Sequence, residues 1–233
     1  MMRKVPVFLF AILVVLTVFT SCVSVNAKRP EVFSEEDASY ALNQALRQSL
    51  NTSIEKLKGQ LSSMDFIPQE YENLKNEMYN IPGMKTLINN YNLSMASTVD
   101  SSLSEFRYYV SDLIDTMDFE NPVELVNSSY SSASKLFFDT YGDTIKKTVT
   151  AFFENADFSD LNSCIRQYNA YVTTRKNSLD KSADFIKMEN YTSYLTNIIY
   201  DRFYRLMLSS EELFRTTPDP YADEITARVF GIN

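Results

Sequence analysis

Apolar residues recur along most of the chain every three or four positions, separated by short polar breaks, which is the pattern of amphipathic helices with one buried face. The first stretch opens at Ser34, an N-cap residue followed by Glu35, Glu36 and Asp37, where the helix dipole favours negative charge. Leu42, Leu46, Leu50, Ile54 and Leu57 share one face, and Gly59 is placed to end the helix. Pro68 suits the first turn of a second helix with Tyr71, Leu74 and Met78 inward, and Ile81-Pro82-Gly83 is a break. A long helix is predicted from Met84 to about Met117, with Leu87, Tyr91, Met95, Val99, Leu103, Phe106, Val110 and Ile114 inward. Residues 118–122 end it and start a short helical turn through Leu125. The polar segment 127–132 reads as a loop and N-cap. The following helix carries Ala133, Phe137, Tyr141, Ile145, Val149, Phe152 and Phe153 on one side. Leu161, Cys164, Ile165, Tyr168 and Val172 mark the next. After the charged residues 175–181, the last long helix presents Phe185, Met188, Leu195, Ile199, Phe203, Leu206 and Phe214. Pro218 and Pro220 break it, and a short helix over 221–230, with Ile225 and Val229 inward, stops at Gly231.

No segment alternates with period two between hairpin turns, and no Asn-Gly or Asp-Gly pair occurs. The expected fold is all-α, a single domain over residues 34–233 built from about six to eight helices. A domain of that size buries about 70% of its unfolded surface, so one core suffices.

The first residues have a different character. Arg3 and Lys4 precede an almost unbroken apolar run over 5–19, shorter than the about 20 residues of a membrane span and fitting a signal sequence. Two processing sites compete. Phe19-Thr20-Ser21-Cys22 resembles a bacterial lipobox, in which the Cys22 thiol takes a diacylglyceryl group and becomes the new N-terminus; Phe19 stands where Leu is usual. Val25-Asn26-Ala27 is the small-x-Ala pattern of an ordinary signal peptidase. Lipidation of Cys22 is the favoured reading, with 1–21 as leader and 22–33 as tether. On cleavage after Ala27 the protein would instead be free in the periplasm.

Composition limits the chemistry. Of 233 residues none is His or Trp, two are Cys and four are Gly. Nucleophile systems that need His, His-ligated zinc, Cys-only metal centres and phosphate-cradling Gly loops are therefore excluded. No cofactor and no metal site are expected. The formal net charge of −8 becomes −10 once Arg3 and Lys4 are removed, which disfavours nucleic acid and gives no attraction to anionic lipid. A membrane association would rest on acyl chains. Cys164 lies within an apolar stripe and reads as a small buried hydrophobe.

From the long middle helix onward the chain resembles a bacterial family of exported proteins, the domain of unknown function numbered four thousand one hundred and ninety-seven. Tyr194-Leu195-Thr196, Asp201, Glu211, Arg215-Thr216-Thr217-Pro218 and Val229-Phe230-Gly231 look like that family's C-terminal motifs. Upstream, Met117-Asp118-Phe119-Glu120 with Leu125, Ala133-Ser134 with Phe137, and Tyr168-Asn169 match further segments. The chain departs from the family's basic residues at Asp139 and Tyr221. The resemblance implies an exported, mainly helical envelope domain and carries no activity with it.

Candidate sites are few. Asp201 and Arg205, like Glu211 and Arg215, are spaced for helix ion pairs. Tyr194, Thr196, Asp201, Glu211 and Arg215 form a candidate polar cluster, to be weighed against a solvated face of weak salt bridges. Thr196 lies on the apolar face, where its hydroxyl can bond back one turn. Asp112 and Asp115 share a face and read as solvated. The expected function is a lipid-anchored envelope protein that acts by interaction or as a structural domain, with other envelope proteins as possible partners. One alternative is a binding module for a small apolar or lipidic ligand, suggested by the 15 Tyr and 16 Phe. Another is a His-independent hydrolase relying on Asp, Glu, Tyr, Ser or Lys.

Overall fold

Helix α1 (Glu35–Gln60) begins as the charge pattern predicts. The Asp37 amide donates to Ser34 Oγ at 3.0 Å and the Ser34 amide to Asp37 Oδ2 at 3.2 Å, a reciprocal capping box. The computed structural model describes residues 33–177, 185–187, 191–217 and 223–231. Among them the chain continues through a 3₁₀ turn at Leu61–Ser63, a second at Gln69–Tyr71, then α2 (Glu72–Glu77), α3 (Met84–Asp115), α4 (Pro122–Asn127), α5 (Ser132–Ala151), α6 (Ser159–Asn177), α7 (Tyr191–Thr216) and α8 (Glu224–Phe230). No strand occurs among the described residues, so the domain is all-α.

The architecture follows from the apolar stripes. All five predicted inward residues of α1 are at most 2% exposed. α1 lies against α7 over its length and also touches α3, α4 and α8; α5 packs on α7, and α6 packs on α3 and α2. Aromatic rings fill the junctions edge to face: Phe106 meets Phe203 at 5.0 Å between centroids, and Phe138 meets Tyr204 at 4.8 Å. Each fully buried Leu or Ile contributes about 1.5–3 kcal/mol, against roughly 0.2–1 kcal/mol for an exposed ion pair such as Lys58–Asp100. The stripes, not the surface charges, hold the bundle together.

Several expectations shift at the helix ends. Gly59 does not stop α1; it is inside the helix, and the chain leaves through the 3₁₀ turn that follows. Gly83 does mark a break, at φ +83°, a left-handed conformation that glycine adopts without strain. In α3 the inward row runs through Met84 and Ile88, and Leu87 is only half-buried. The last long helix starts at Tyr191, so Phe185 precedes it and is 52% exposed, with Ile186 buried in its place. Met188, Pro218, Pro220, Tyr221 and the leader with Cys22 lie outside the described residues. In α8 the buried residues are Thr226 and Val229, with Ile225 at the margin.

Candidate functional site

The charged residues of α7 do not share one environment. Phe203, Met207, Glu211 and Arg215 follow each other at steps of four and form one inward row. Glu211 and Arg215 are therefore carried into the core, with side chains 0% and 1% exposed, where a solvated pair was the simpler expectation. Arg215 Nη1 donates to Glu211 Oε1 at 2.9 Å.

Both groups do more than neutralise each other. The α5 amides of Ala133 and Ser134 donate to Glu211 Oε1 and Oε2 at 3.2 and 2.7 Å. The residue before α5, Ser131, makes no side-chain cap, so the carboxylate from α7 supplies it and meets the positive end of the helix dipole. Arg215 takes the opposite terminus. Its Nη2 donates to Val126 O at 2.6 Å and Leu125 O at 3.4 Å, and Nη1 to Ser129 O at 3.2 Å and Ser132 Oγ at 3.0 Å. Three of these acceptors are carbonyls at the end of α4 and in the loop after it, where a helix terminus leaves carbonyls short of intrahelical donors. The guanidinium also lies 4.8 Å from the Phe230 ring centroid on α8. One ion pair thus joins α4, α5, α7 and α8.

The other members of the predicted cluster lie elsewhere. Tyr194 is about 30 Å along α7 from Arg215 at the helical rise; it is half-buried and donates to Ile67 O at 3.2 Å. Burial, followed by the nearby Asp65 and Glu70 carboxylates, raises its phenol above the ordinary value. Thr196 is buried and its hydroxyl donates across to Thr150 Oγ1 at 3.3 Å on α5, rather than back along its own helix. Asp201 and Arg205 are exposed, and no ion pair joins them among the described residues. Asp115 pairs with Arg47, while Asp112 is exposed. Cys164 is fully buried, and that burial pushes its thiol up to about 11. Among the described residues no group of three or more acidic or Cys side chains is placed to hold a metal.

A feature that sequence reasoning missed lies on the outer side of α1. Gln44, Arg47, Gln48 and Asn51 follow one another along the helix and face Arg107, Tyr108 and Ser111 of α3 across a cleft of about 510 Å³. A second cleft of about 400 Å³ adjoins it, sharing Gln44 and Arg47 and reaching Asn43 and Tyr40. Asn43 Oδ1 and Arg107 Nε are buried without a hydrogen-bond partner, an expensive condition for polar atoms. Tyr108 is 73% exposed and Tyr40 42%. The signal was present as the polar side of the α1 wheel, but periodicity does not distinguish a solvated stripe from a groove floor.

Residues 32–231 match the model of a family described as "Protein of unknown function (DUF4197)". No curated protein and no solved structure matches the chain.

Proposed function

We propose, from the premise that the chain belongs to the DUF4197 family, that this is a lipid-anchored bacterial envelope protein whose helical domain works by binding. Acyl chains on Cys22 hold it at the membrane facing the periplasm, and residues 22–33 act as a tether that reaches at most ~40 Å when extended. The domain then engages another envelope component.

The observation that carries the binding reading is the concave row of polar side chains between α1 and α3. The buried ionic residues of the family-like C-terminal motifs, Glu211 and Arg215, are occupied in holding four helices together. Gln44, Gln48 and Asn51 line the α1–α3 groove beside the orphan atoms of Asn43 and Arg107, while other buried polar atoms without a hydrogen bond, at Ser49, Gln60, Arg215 and Arg228, lie outside it. Convergent polar groups in a concave site are where ligands are recognised. Part of the aromatic load, which suggested an apolar ligand, goes into ring-on-ring packing inside the bundle.

The anchor is tested by the intact mass of the protein extracted gently from native envelopes. A chain beginning at Cys22 and carrying acyl groups is expected. A lipid-free chain beginning at Lys28 would overturn the anchored reading.

A further inference from the structure

We infer that the α1–α3 groove is a binding site for a neutral oligosaccharide. The inference rests on the binding reading above and names the ligand class for that site.

Charge decides first. The two arginines of the groove are each matched by a carboxylate, Arg47 by Asp115 and Arg107 by Glu55. Asp223, at the groove's edge, is taken up in capping α8, accepting from the Thr226 amide at 2.9 Å and hydroxyl at 2.8 Å. The groove therefore offers no free cation for a phosphate or carboxylate, and the exposed carboxylates Glu36 and Asp118 in the second cleft add to the repulsion of anions. The chain's net charge of −8 repels anions further.

Shape and hydrogen-bonding type decide next. Peptides dock on a strand edge or through a row of apolar anchors. No strand occurs among the described residues, and the lining of this groove is mainly polar, with only Leu50 and Phe214 as aliphatic or Phe members beside its amides, arginines, Tyr108, Ser111 and Asp223. Gln44, Gln48 and Asn51 each present a carbonyl acceptor and an NH₂ donor. Sugar hydroxyls, which donate and accept at once, suit such planar groups. The flat C–H face of a pyranose ring suits an exposed tyrosine, and the groove has one in each half, Tyr108 and Tyr40. The two clefts share Gln44 and Arg47 in their linings, so the polar surface continues from one to the other along α1.

The full chain is applied to an array of neutral and anionic oligosaccharides, and any glycan retained is titrated calorimetrically. Retention of a neutral oligosaccharide is expected. Tyr108→Ala and Gln48→Ala should each weaken binding about tenfold. Tyr79→Ala removes a side chain that is equally exposed, at 72%, outside the groove, and should leave binding unchanged. Retention of anionic glycans alone, of no glycan, or an equal effect of Tyr79→Ala and Tyr108→Ala would overturn the inference. A photocrosslinker at position 108 separates this failure from failure of the broader reading. Crosslinks to an envelope protein without glycan retention would remove the saccharide and leave the binding reading intact. No crosslink to any envelope component would remove both.

Discussion

Arg215 Nη1 sits 2.9 Å from Glu211 Oε1, one turn away on the same helix, with both side chains sealed from water. A pair at this spacing on a helix surface contributes about 0.3–0.5 kcal/mol. Here each partner also satisfies backbone groups of other helices, so the energetics are those of a buried network. Removing one member strands the other charge and several amides or carbonyls.

Glu211→Gln and Arg215→Met should each destabilise the domain by about 3–5 kcal/mol. The double variant should lose less than the sum of the two, because the stranded-charge penalty is then absent. Urea denaturation of the four proteins in the cycle measures this. Additive losses would show that the two residues act independently.

Gly142 lies inside α5, and an added Cβ would come within 2.7 Å of Tyr200 Oη. Alanine is the better helix former by about 1 kcal/mol, so only this contact opposes the change. Gly142→Ala should therefore be neutral or destabilising alone, and stabilising by about 1 kcal/mol in a Tyr200→Phe background. Thermal melts of the four variants give the sign in each background.

Gly59 has nothing within 4 Å of an added Cβ and sits near the end of α1. Gly59→Ala should raise stability by roughly 0.5–1 kcal/mol with no change in structure. A loss of stability would show that the end of α1 needs the freedom of glycine.

Three aspartates take part in helix starts and turns with carboxyls held below the ordinary range. Backbone and side-chain donors at Ser34 lower Asp37 against a smaller opposing effect of burial, with help from Arg228, and the Ser159 amide lowers Asp157. Burial alone would raise Asp223, but the Thr226 amide and hydroxyl outweigh it. A carboxyl lowered by folding adds stability above its unfolded value and loses that contribution as pH falls through the folded value. Stability should thus fall as pH drops below about 4, the unperturbed Asp value. Asp37→Asn should flatten part of that fall in chemical denaturation followed across acidic pH.

Cys164 should be inert in the folded protein. Its thiol is buried on α6 and raised to about 11, so a thiol reagent at neutral pH meets almost no thiolate. Labelling should follow opening of the structure and accelerate with urea. Labelling at the rate of an exposed cysteine in native buffer would contradict the packing of α6 on α3.

The sequence made the helices legible because burial leaves a regular imprint. The α1 row and the α6 row, Leu161 through Val172, are buried as their spacing predicts. Helix ends were less legible. Gly59 has the composition of a stop signal, but α1 runs one residue past it to Gln60 and leaves through a 3₁₀ turn in which Leu61 is buried. The buried ion pair was hidden by residue type. The row Phe203, Met207, Glu211, Arg215 keeps the step of four, yet Leu206 and Phe214 are more apolar and pulled the inward face to the wrong side. What brings a charge inside is a set of partners 77 to 90 residues away in the chain, and no local pattern records them. The α1–α3 groove was invisible for the same reason, since its walls come from separate helices.

The cap of α5 has a consequence for the order of events during synthesis. The amides of Ala133 and Ser134 wait for a carboxylate made 77 to 78 residues later, and α1 waits for α7 to cover its stripe. A nascent chain can form these helices only transiently until α7 has been made. Closure of the bundle is thereby deferred until α7 has been made. Until then the stripe of α1 and the amides that open α5 remain without the partners that the folded domain gives them.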